Sequence, residues 1–176
     1  MRAFDRTAAT RFPVALDAAL REAGWTPGRW DIRQAETWAD ALRAHESPGG
    51  HRHIIFPAAG EAWAEFGGLH VRPPATGRHL APTPFRIDPL HGLHLARTLT
   101  DLGRALGTEV CPLGQEADGQ ALLTIDAEGR VYSLDHTGDW FLGGDIDRAL
   151  TTLVTGTRPT RLTLAEQPGT DASASA

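Results

Sequence analysis

The spacing of the apolar residues changes at Gly107, and this change constrains the fold more than any other feature of the chain. Before Gly107, leucines recur at steps of four, three and four, the spacing of one helix face; they are Leu95, Leu99, Leu102 and Leu106. After Gly107, three short segments have the composition of strands: 109–114, 121–127 and 130–136. The dipeptide Glu128-Gly129 predicts a hairpin between the last two. A helical pattern then returns over residues 145–155.

Three more helices are predicted ahead of the leucine helix. The first has Thr10 as its N-cap, and its apolar stripe consists of Phe12, Leu16 and Leu20. The second opens with Asp31 and Gln34, which resemble a capping box; its inward residues are Ala35, Trp38 and Leu42. The third has Pro57 in its first turn; its inward residues are Ala59, Ala62, Trp63 and Phe66.

Helices followed by consecutive strands and a last helix are the pattern of an α+β protein with an antiparallel sheet. We therefore predict a single domain over residues 10–156, in which this sheet packs against about five helices. The length of 176 residues agrees with one domain. Residues 157–176 end in Asp-Ala-Ser-Ala-Ser-Ala, and we predict that they form a disordered tail.

Two adjacent glycines, Gly67 and Gly68, separate the third helix from a strand-like alternation at Leu69 and Val71. Gly67 follows the last helical turn, where the backbone often becomes left-handed and glycine avoids a clash of its Cβ. A second glycine is more than the end of a helix requires.

The charge balance limits the classes of partner. A net charge of −5 argues against a general nucleic-acid binder, which usually carries a basic face. The first ten residues contain no apolar stretch typical of a secretion signal, and no segment approaches the length of a membrane span. We therefore expect a cytoplasmic protein that binds neither nucleic acid nor membrane directly.

The sequence contains eight histidines, which raises the question of a metal site. A zinc site needs three or four converging ligands. The histidines instead form pairs in separate segments, His51 with His53 and His91 with His94. This favours solvated histidines, with no metal and no cofactor. A metal-dependent enzyme with a histidine-lined site is kept as the less favoured alternative.

The remaining candidates for catalysis have simpler structural interpretations. Cys111 lies within an apolar strand, where a free cysteine is usually a small buried hydrophobe. Asp126 and Asp135 flank the predicted hairpin, where acidic residues commonly end strands; the alternative is a pair of glycosidase-like carboxylates. No serine occupies a nucleophile elbow. We assign no catalytic residue and expect a binding protein that is not an enzyme.

Six short motifs follow one another along the chain: AGWTPGR (23–29), EFGGL (65–69), FRIDP (85–89), CPLG (111–114), IDAEGRVY (125–132) and LGGDIDRAL (142–150). In this order and spacing they resemble the SUKH superfamily, and most closely its third subgroup of bacterial immunity proteins. The resemblance covers about residues 12–156. Its motifs include four residues that we interpret as structural, namely Gly67, Gly68, Pro112 and Gly129. The resemblance suggests that Gly67 and Gly68 are a fold signature, which ends the helix and begins a strand after a very short linker, and that Gly68 allows close packing of the backbone.

The resemblance implies an α+β domain that binds and neutralises a cognate toxin of a polymorphic or contact-dependent system. Such toxins are often nucleases or deaminases, and neutralisation would be stoichiometric, by occlusion. The family shares no catalytic residues, so none is transferred to this chain. Superfamily relatives also act as regulatory or scaffold domains, and a protein-binding role of that kind is the alternative function.

One segment, 135–147, is predicted to contact the partner. It collects aspartates around Trp140 without a basic residue, and the candidates for contact are Asp135, Asp139, Trp140 and Asp145. Nuclease toxins carry basic faces for phosphate backbones, which carboxylates beside an aromatic anchor could cover. The alternative is that the aspartates near residue 145 only favour a helix N-terminus. The other tryptophans are expected to be structural, with Trp25 and Trp30 against the turn between them.

Overall fold

Seven antiparallel strands follow one another in chain order across a single sheet in the computed structural model, which describes residues 10–163. The strands are β1 (His70–Val71), β2 (Phe85–Arg86), β3 (Val110–Glu116), β4 (Ala121–Asp126), β5 (Val131–Asp135), β6 (Gly138–Gly143) and β7 (Thr160–Arg161). Every strand pairs only with its neighbours in the chain order, as in a meander. The two-residue strands lie at the edges, where short strands discourage further pairing.

Five α-helices accompany the sheet: α1 (Val14–Glu22), α2 (Ile32–Ala44), α3 (Pro57–Phe66), α4 (Ala96–Leu106) and α5 (Ile146–Thr155). A 3-10 segment, Pro89–Leu95, leads directly into α4. Asp31 and Asp145 cap α2 and α5, each accepting a bond from the backbone N–H three residues later. The α+β class, the single domain and the number of helices predicted from the sequence are confirmed.

The helices cover the two faces of the sheet unequally. Residues of α1, α2, α3 and α5 share the large core with one face, to which β4 contributes Leu123 and Ile125. A smaller core joins Leu99 and Leu102 of α4 to Val110, with Leu122 of β4 packed against it. Because side chains alternate along a strand, Leu122 and Leu123 point to opposite faces. The helix α4 and the 3-10 segment that leads into it therefore pack against the second face, where Gly92 lies beside Pro112 and Leu122.

Three boundaries differ from the sequence prediction. The first helix begins at Val14 after Pro13, because the fixed φ of proline suits a helix start, and Thr10 does not cap it. Residues 138–143, for which no strand is predicted from the sequence, form β6. Residues 157–163 of the predicted tail contain β7, which pairs with β6; residues 164–176 lie outside the described part of the chain.

The two glycines after α3 have the opposite roles to those predicted. Gly67 has a φ of −58°, which any residue can adopt. However, a Cβ at this position would come closer than 3.0 Å to the carbonyl oxygen of Trp63 and the ring of Trp38. Gly68 has the left-handed φ of +82°, and a Cβ there would meet no atom within 4 Å. Gly67 is therefore required for packing and Gly68 for conformation.

The other two structural positions, Pro112 and Gly129, lie in β3 and at the β4–β5 turn. Pro112 stands where the β3–β4 register shifts, the kind of irregularity at which a sheet tolerates proline. Its carbonyl oxygen accepts a bond from Nε1 of the buried Trp63, 3.2 Å away. Gly129 has a φ of +86° in the turn that joins β4 to β5, so the predicted Glu128-Gly129 hairpin is confirmed.

The end of α5 anchors the long loop between β1 and β2. The backbone N–H groups of His79 and Leu80 both donate to the carbonyl oxygen of Gly156, and Arg78 donates to Thr155. The helix α5 also packs against α1.

Within residues 10–163, no helix combines the length and apolar character needed to cross a membrane.

Candidate functional site

The structure does not bring the four predicted contact residues onto one surface. Asp135 ends β5 and pairs with Gly138 across the turn, so Asp135, Asp139 and Trp140 lie at one end of the β5–β6 hairpin. Asp145 follows the far end of β6 as the N-cap of α5. At about 3.3 Å per residue, the length of β6 separates it from the others by roughly 20 Å. The segment 135–147 thus contributes to two distinct surfaces.

Asp135 closes the turn between β5 and β6. Its Oδ1 accepts bonds from the N–H of Thr137 at 2.7 Å, the hydroxyl of Thr137 at 2.6 Å and the N–H of Gly138 at 3.1 Å. The indole N–H of Trp140 is 3.5 Å away. Burial opposes ionisation of this carboxyl, but the hydrogen bonds outweigh it and lower its pKa. These bonds give Asp135 a structural role in the turn.

Asp139 and Trp140 are neighbours in β6 and therefore point to opposite faces of the sheet. Trp140 is half-buried, with the guanidinium of Arg161 from β7 at 5.7 Å from its ring. It lines a cavity of about 290 Å³ together with Ser133, Leu142 and the loop residue Leu80, among others. Burial and the neighbouring Asp135 charge raise the pKa of Asp139. We call this end of the β5–β6 hairpin, with both of its faces, the hairpin-end surface; its residues are Asp135, Asp139 and Trp140.

Asp145 belongs to a second depression, of about 360 Å³, between α3, the start of α5 and the β4–β5 turn. Its apolar floor includes Ala58, Ala62 and Ile146, and its walls include Glu61 and Glu65. Trp30 stands on the rim with 55% of its surface exposed. Of the two tryptophans that flank this turn, Trp25 is buried and Trp30 is largely exposed. We call this depression the Trp30 cleft.

Arg11 connects the elements around the Trp30 cleft. Its guanidinium donates to Glu65 of α3 at 2.5 and 3.2 Å, and to Asp147 of α5 at 2.7 and 2.8 Å. It also lies 4.6 Å from the centroid of the Phe12 ring. The bonds to Asp147 and Glu65 raise the pKa of Arg11. Arg11 therefore fixes α3 relative to α5 and shapes the cleft between them.

Asp126 is completely buried at the hairpin between β4 and β5. Its carboxylate accepts bonds from the backbone N–H groups of Glu128 and Arg130, from Nε of Arg130 at 2.6 Å and from the hydroxyl of Tyr132 at 2.9 Å. Asp135 lies at the opposite end of β5, so the two carboxylates do not form a glycosidase-like pair. Both residues close turns, as the simpler interpretation of the sequence proposed.

The histidines and the cysteine do not converge on one site. His51 lies near Ser47, His91 near the carbonyl of Asp88, and the ring of His94 is 4.8 Å from that of His45. Within residues 10–163, no group of three or more histidine, cysteine, aspartate or glutamate side chains is placed to hold a metal ion. Cys111 is buried, and burial raises its pKa to about 12, so it is a small core residue as predicted.

His53 is the one buried histidine among the described residues, and it lines a depression of about 620 Å³ beside α4. Its Nε2–H donates to the carbonyl of Leu93 at 2.7 Å, which leaves Nδ1 as an acceptor without a partner in the described part of the chain. Burial lowers the pKa of His53, and the nearby His45 acts in the same direction. The side chain is therefore neutral at neutral pH.

We expect acid to weaken the fold through His53. Because its pKa is lower in the folded protein than the usual 6.5, the unfolded chain binds the proton more readily. The stability from this group is complete above pH 6.5 and is lost as the pH falls toward the folded pKa. Urea denaturation at about pH 7.5 and pH 5 should show a steeper loss for the wild type than for His53→Gln. The exposed His91→Gln variant is the control and should behave as wild type; equal slopes for all three proteins would contradict the prediction.

Two residues of the Trp30 cleft escaped the sequence prediction. Trp30 lies directly before the N-cap Asp31 and outside the apolar stripe of α2. This position was the feature of the sequence that indicated an exposed side chain. Glu61 lies on the polar side of α3, where a single glutamate is unremarkable in a sequence. In the folded structure, Trp30 and Glu61 lie beside Asp145, which is more than eighty residues away in the chain. This proximity cannot be predicted from the sequence.

The comparisons with known proteins agree with this architecture. Residues 12–156 match the family model described as SUKH-3 immunity protein. The matched range includes every described helix and strand except β7. No significant match was found among curated proteins or solved structures. The family match covers more than half of the chain and confirms the resemblance seen in the sequence motifs. The chain therefore belongs to the SUKH-3 immunity protein family, which supports a role in toxin immunity.

Proposed function

We propose that this chain neutralises a cognate protein toxin in the cytoplasm by forming a one-to-one complex that covers the toxin's active face. The match to the SUKH-3 immunity protein family over residues 12–156 is the observation that carries the proposal. The structure adds a rigid α+β domain with clefts bordered by acidic and aromatic side chains. A protein that acts by occlusion needs such a preformed surface and no catalytic group.

The chemistry of the surface favours a toxin that acts on nucleic acid, either a nuclease or a deaminase. Such enzymes present basic residues to hold phosphate groups. The immunity chain carries 22 acidic and 17 basic residues, so its overall charge attracts a basic partner. Carboxylates of the immunity chain that occupy the phosphate positions would prevent the nucleic-acid substrate from contacting the toxin. Inhibition would therefore compete directly with nucleic-acid binding.

The proposal predicts that protection follows the amount of the chain in proportion. When chain and toxin domain are expressed from separately controlled promoters, growth should be restored only as the chain reaches about one copy per toxin. A complex that contains one of each should be recovered by size-exclusion chromatography with light scattering. A Gly67→Val variant, expected to misfold, serves as the control for expression alone.

Two results would contradict this proposal in different ways. Protection at strongly substoichiometric levels, with the toxin cleaved or modified, would identify an enzyme. No protection and no complex with the toxin domain would favour the regulatory or scaffold role found among superfamily relatives. The gene neighbourhood offers an inexpensive complement, since a neighbouring reading frame that ends in a small variable toxin domain supports immunity.

A further inference from the structure

The Trp30 cleft has the physical features of a docking surface. Trp25, Trp38 and Trp63 are all buried to at least nine-tenths, whereas Trp30 exposes 55% of its surface at the rim of an apolar floor. An indole that stays exposed to water does not contribute the large stabilising free energy that burial of its apolar surface would give. Tryptophan is also among the residues that most often anchor protein interfaces.

The backbone on either side of Trp30 is tied to α3. The N–H of Asp31 donates to the carbonyl of Ala64 at 2.8 Å. The guanidinium of Arg29 donates to the carbonyls of Glu65 at 2.6 Å and Gly67 at 2.7 Å. These bonds hold the base of the Trp30 side chain in place before any partner arrives. A preorganised anchor loses little conformational entropy on binding, so more of its contact energy appears as affinity.

The charges around the cleft are unbalanced. Arg11 is shared by Glu65 and Asp147, and the Arg130 guanidinium is shared by two further carboxylates, Asp126 and Glu128. Asp145 lies 3.6 Å from Arg148. Glu61 is exposed and takes part in no ion pair among the described residues. Among the residues that line the cleft, four carboxylates (Glu61, Glu65, Glu128 and Asp145) stand against one guanidinium group, that of Arg11.

We propose that the Trp30 cleft receives the basic active face of the toxin, with an arginine or lysine side chain lying over Trp30 and reaching Glu61. This inference rests on the proposed function and names the surface that performs it. A cation over an indole gains from the negative face of the ring, and the excess of carboxylates gives the site its preference for positive charge. The apolar floor takes up the aliphatic part of the same side chain.

The test measures the affinity and the association rate of the full chain with its cognate toxin domain, by surface plasmon resonance at two salt concentrations. Trp30→Ala and Glu61→Arg should each weaken binding by about tenfold or more, as loss of an interface anchor does. The wild-type association rate should fall steeply with salt. Trp30 is exposed and Glu61 makes no ion pair with any residue of the described part of the chain, so both variants should melt within a few degrees of the wild type.

Asp139→Arg is the matched control, because it changes the net charge by the same amount as Glu61→Arg but lies on the hairpin-end surface. Its affinity should stay within about threefold of the wild type, as expected of a charge remote from the interface. Equal losses for Asp139→Arg and Glu61→Arg, with Trp30→Ala unaffected, would show a diffuse charge effect and overturn the inference. Losses in Asp139→Arg and Trp140→Ala alone would move the interface to the hairpin-end surface.

The same experiment separates this inference from the proposed function. If the wild-type chain fails to bind the toxin domain, the proposed function fails, and this inference fails with it. If the wild type binds and both Trp30→Ala and Glu61→Arg retain its affinity, only the assignment of the surface is overturned.

Discussion

Gly67→Ala should lower the free energy of unfolding by about 3 kcal/mol, toward the upper end of what overpacking costs. The φ of −58° at this position is ordinary, so alanine adds no backbone strain. The added Cβ would, however, come within 3.0 Å of the Trp63 carbonyl oxygen and of the Trp38 ring. Trp63 and Trp38 are both buried in the closely packed core, which restricts how far they can shift. Urea denaturation followed by circular dichroism measures the change.

Two further glycines provide the controls for Gly67. Gly68→Ala should cost about 1 kcal/mol, because it meets no atom but must keep a left-handed φ of +82°. Gly60→Ala, inside α3 with open space around its Cβ, should stabilise the protein by up to about 1 kcal/mol. If Gly68→Ala proved more damaging than Gly67→Ala, the assignment of packing to Gly67 and conformation to Gly68 would be wrong.

Asp126→Ala should also destabilise the protein by about 3 kcal/mol. The substitution removes a fully buried carboxylate and leaves the Tyr132 hydroxyl and two backbone N–H groups without their acceptor. It also leaves the Arg130 guanidinium without its 2.6 Å partner. Tyr132→Phe, which removes only one of these bonds, should cost about 1 kcal/mol by the same denaturation measurement.

The sequence contains one tyrosine, so its ultraviolet absorbance reports directly on this network. Burial, together with the bond to Asp126, raises the pKa of Tyr132 to about 12. Because the pKa is raised above 10, the stability that this group contributes is complete below pH 10 and is lost as the pH rises to about 12. In Asp126→Asn, phenolate should form at a lower pH than in the wild type. An unchanged titration would contradict the described network.

The fold could be predicted where the sequence signal is local and periodic. The four leucines of the α4 region and the Glu128-Gly129 turn are such signals, and both were interpreted correctly. β6 was missed because its apolar residues, Trp140 to Leu142, are consecutive and have glycines at both ends. β7 was missed because its residues are exposed and its position depends on backbone pairing with β6.

The candidate site was harder to predict, because its residues are assembled from distant segments. Asp139 and Asp145 are close in sequence, but β6 carries them to opposite ends of the hairpin. Trp30 and Glu61 come from other elements and join Asp145 only through the packing of α3 and α5. The prediction assigned the roles of Gly67 and Gly68 the wrong way round for a related reason. Two adjacent glycines in a sequence do not show which of them has a left-handed φ and which lies against the ring of Trp38.

The packing of α1 against α5 has a consequence for how the protein is made. Arg11 leaves the ribosome well before its partner Asp147, which follows 136 residues later. At roughly 5–20 residues per second, the interval is about 7 to 30 s. During that time α1 lacks the surface of α5 against which it finally packs, and its apolar stripe is open to non-native contacts. A nascent chain interrupted before α5 would lack both the Arg11–Asp147 ion pair and the residues that α5 contributes to the large core, so this domain can finish folding only after α5 has been made.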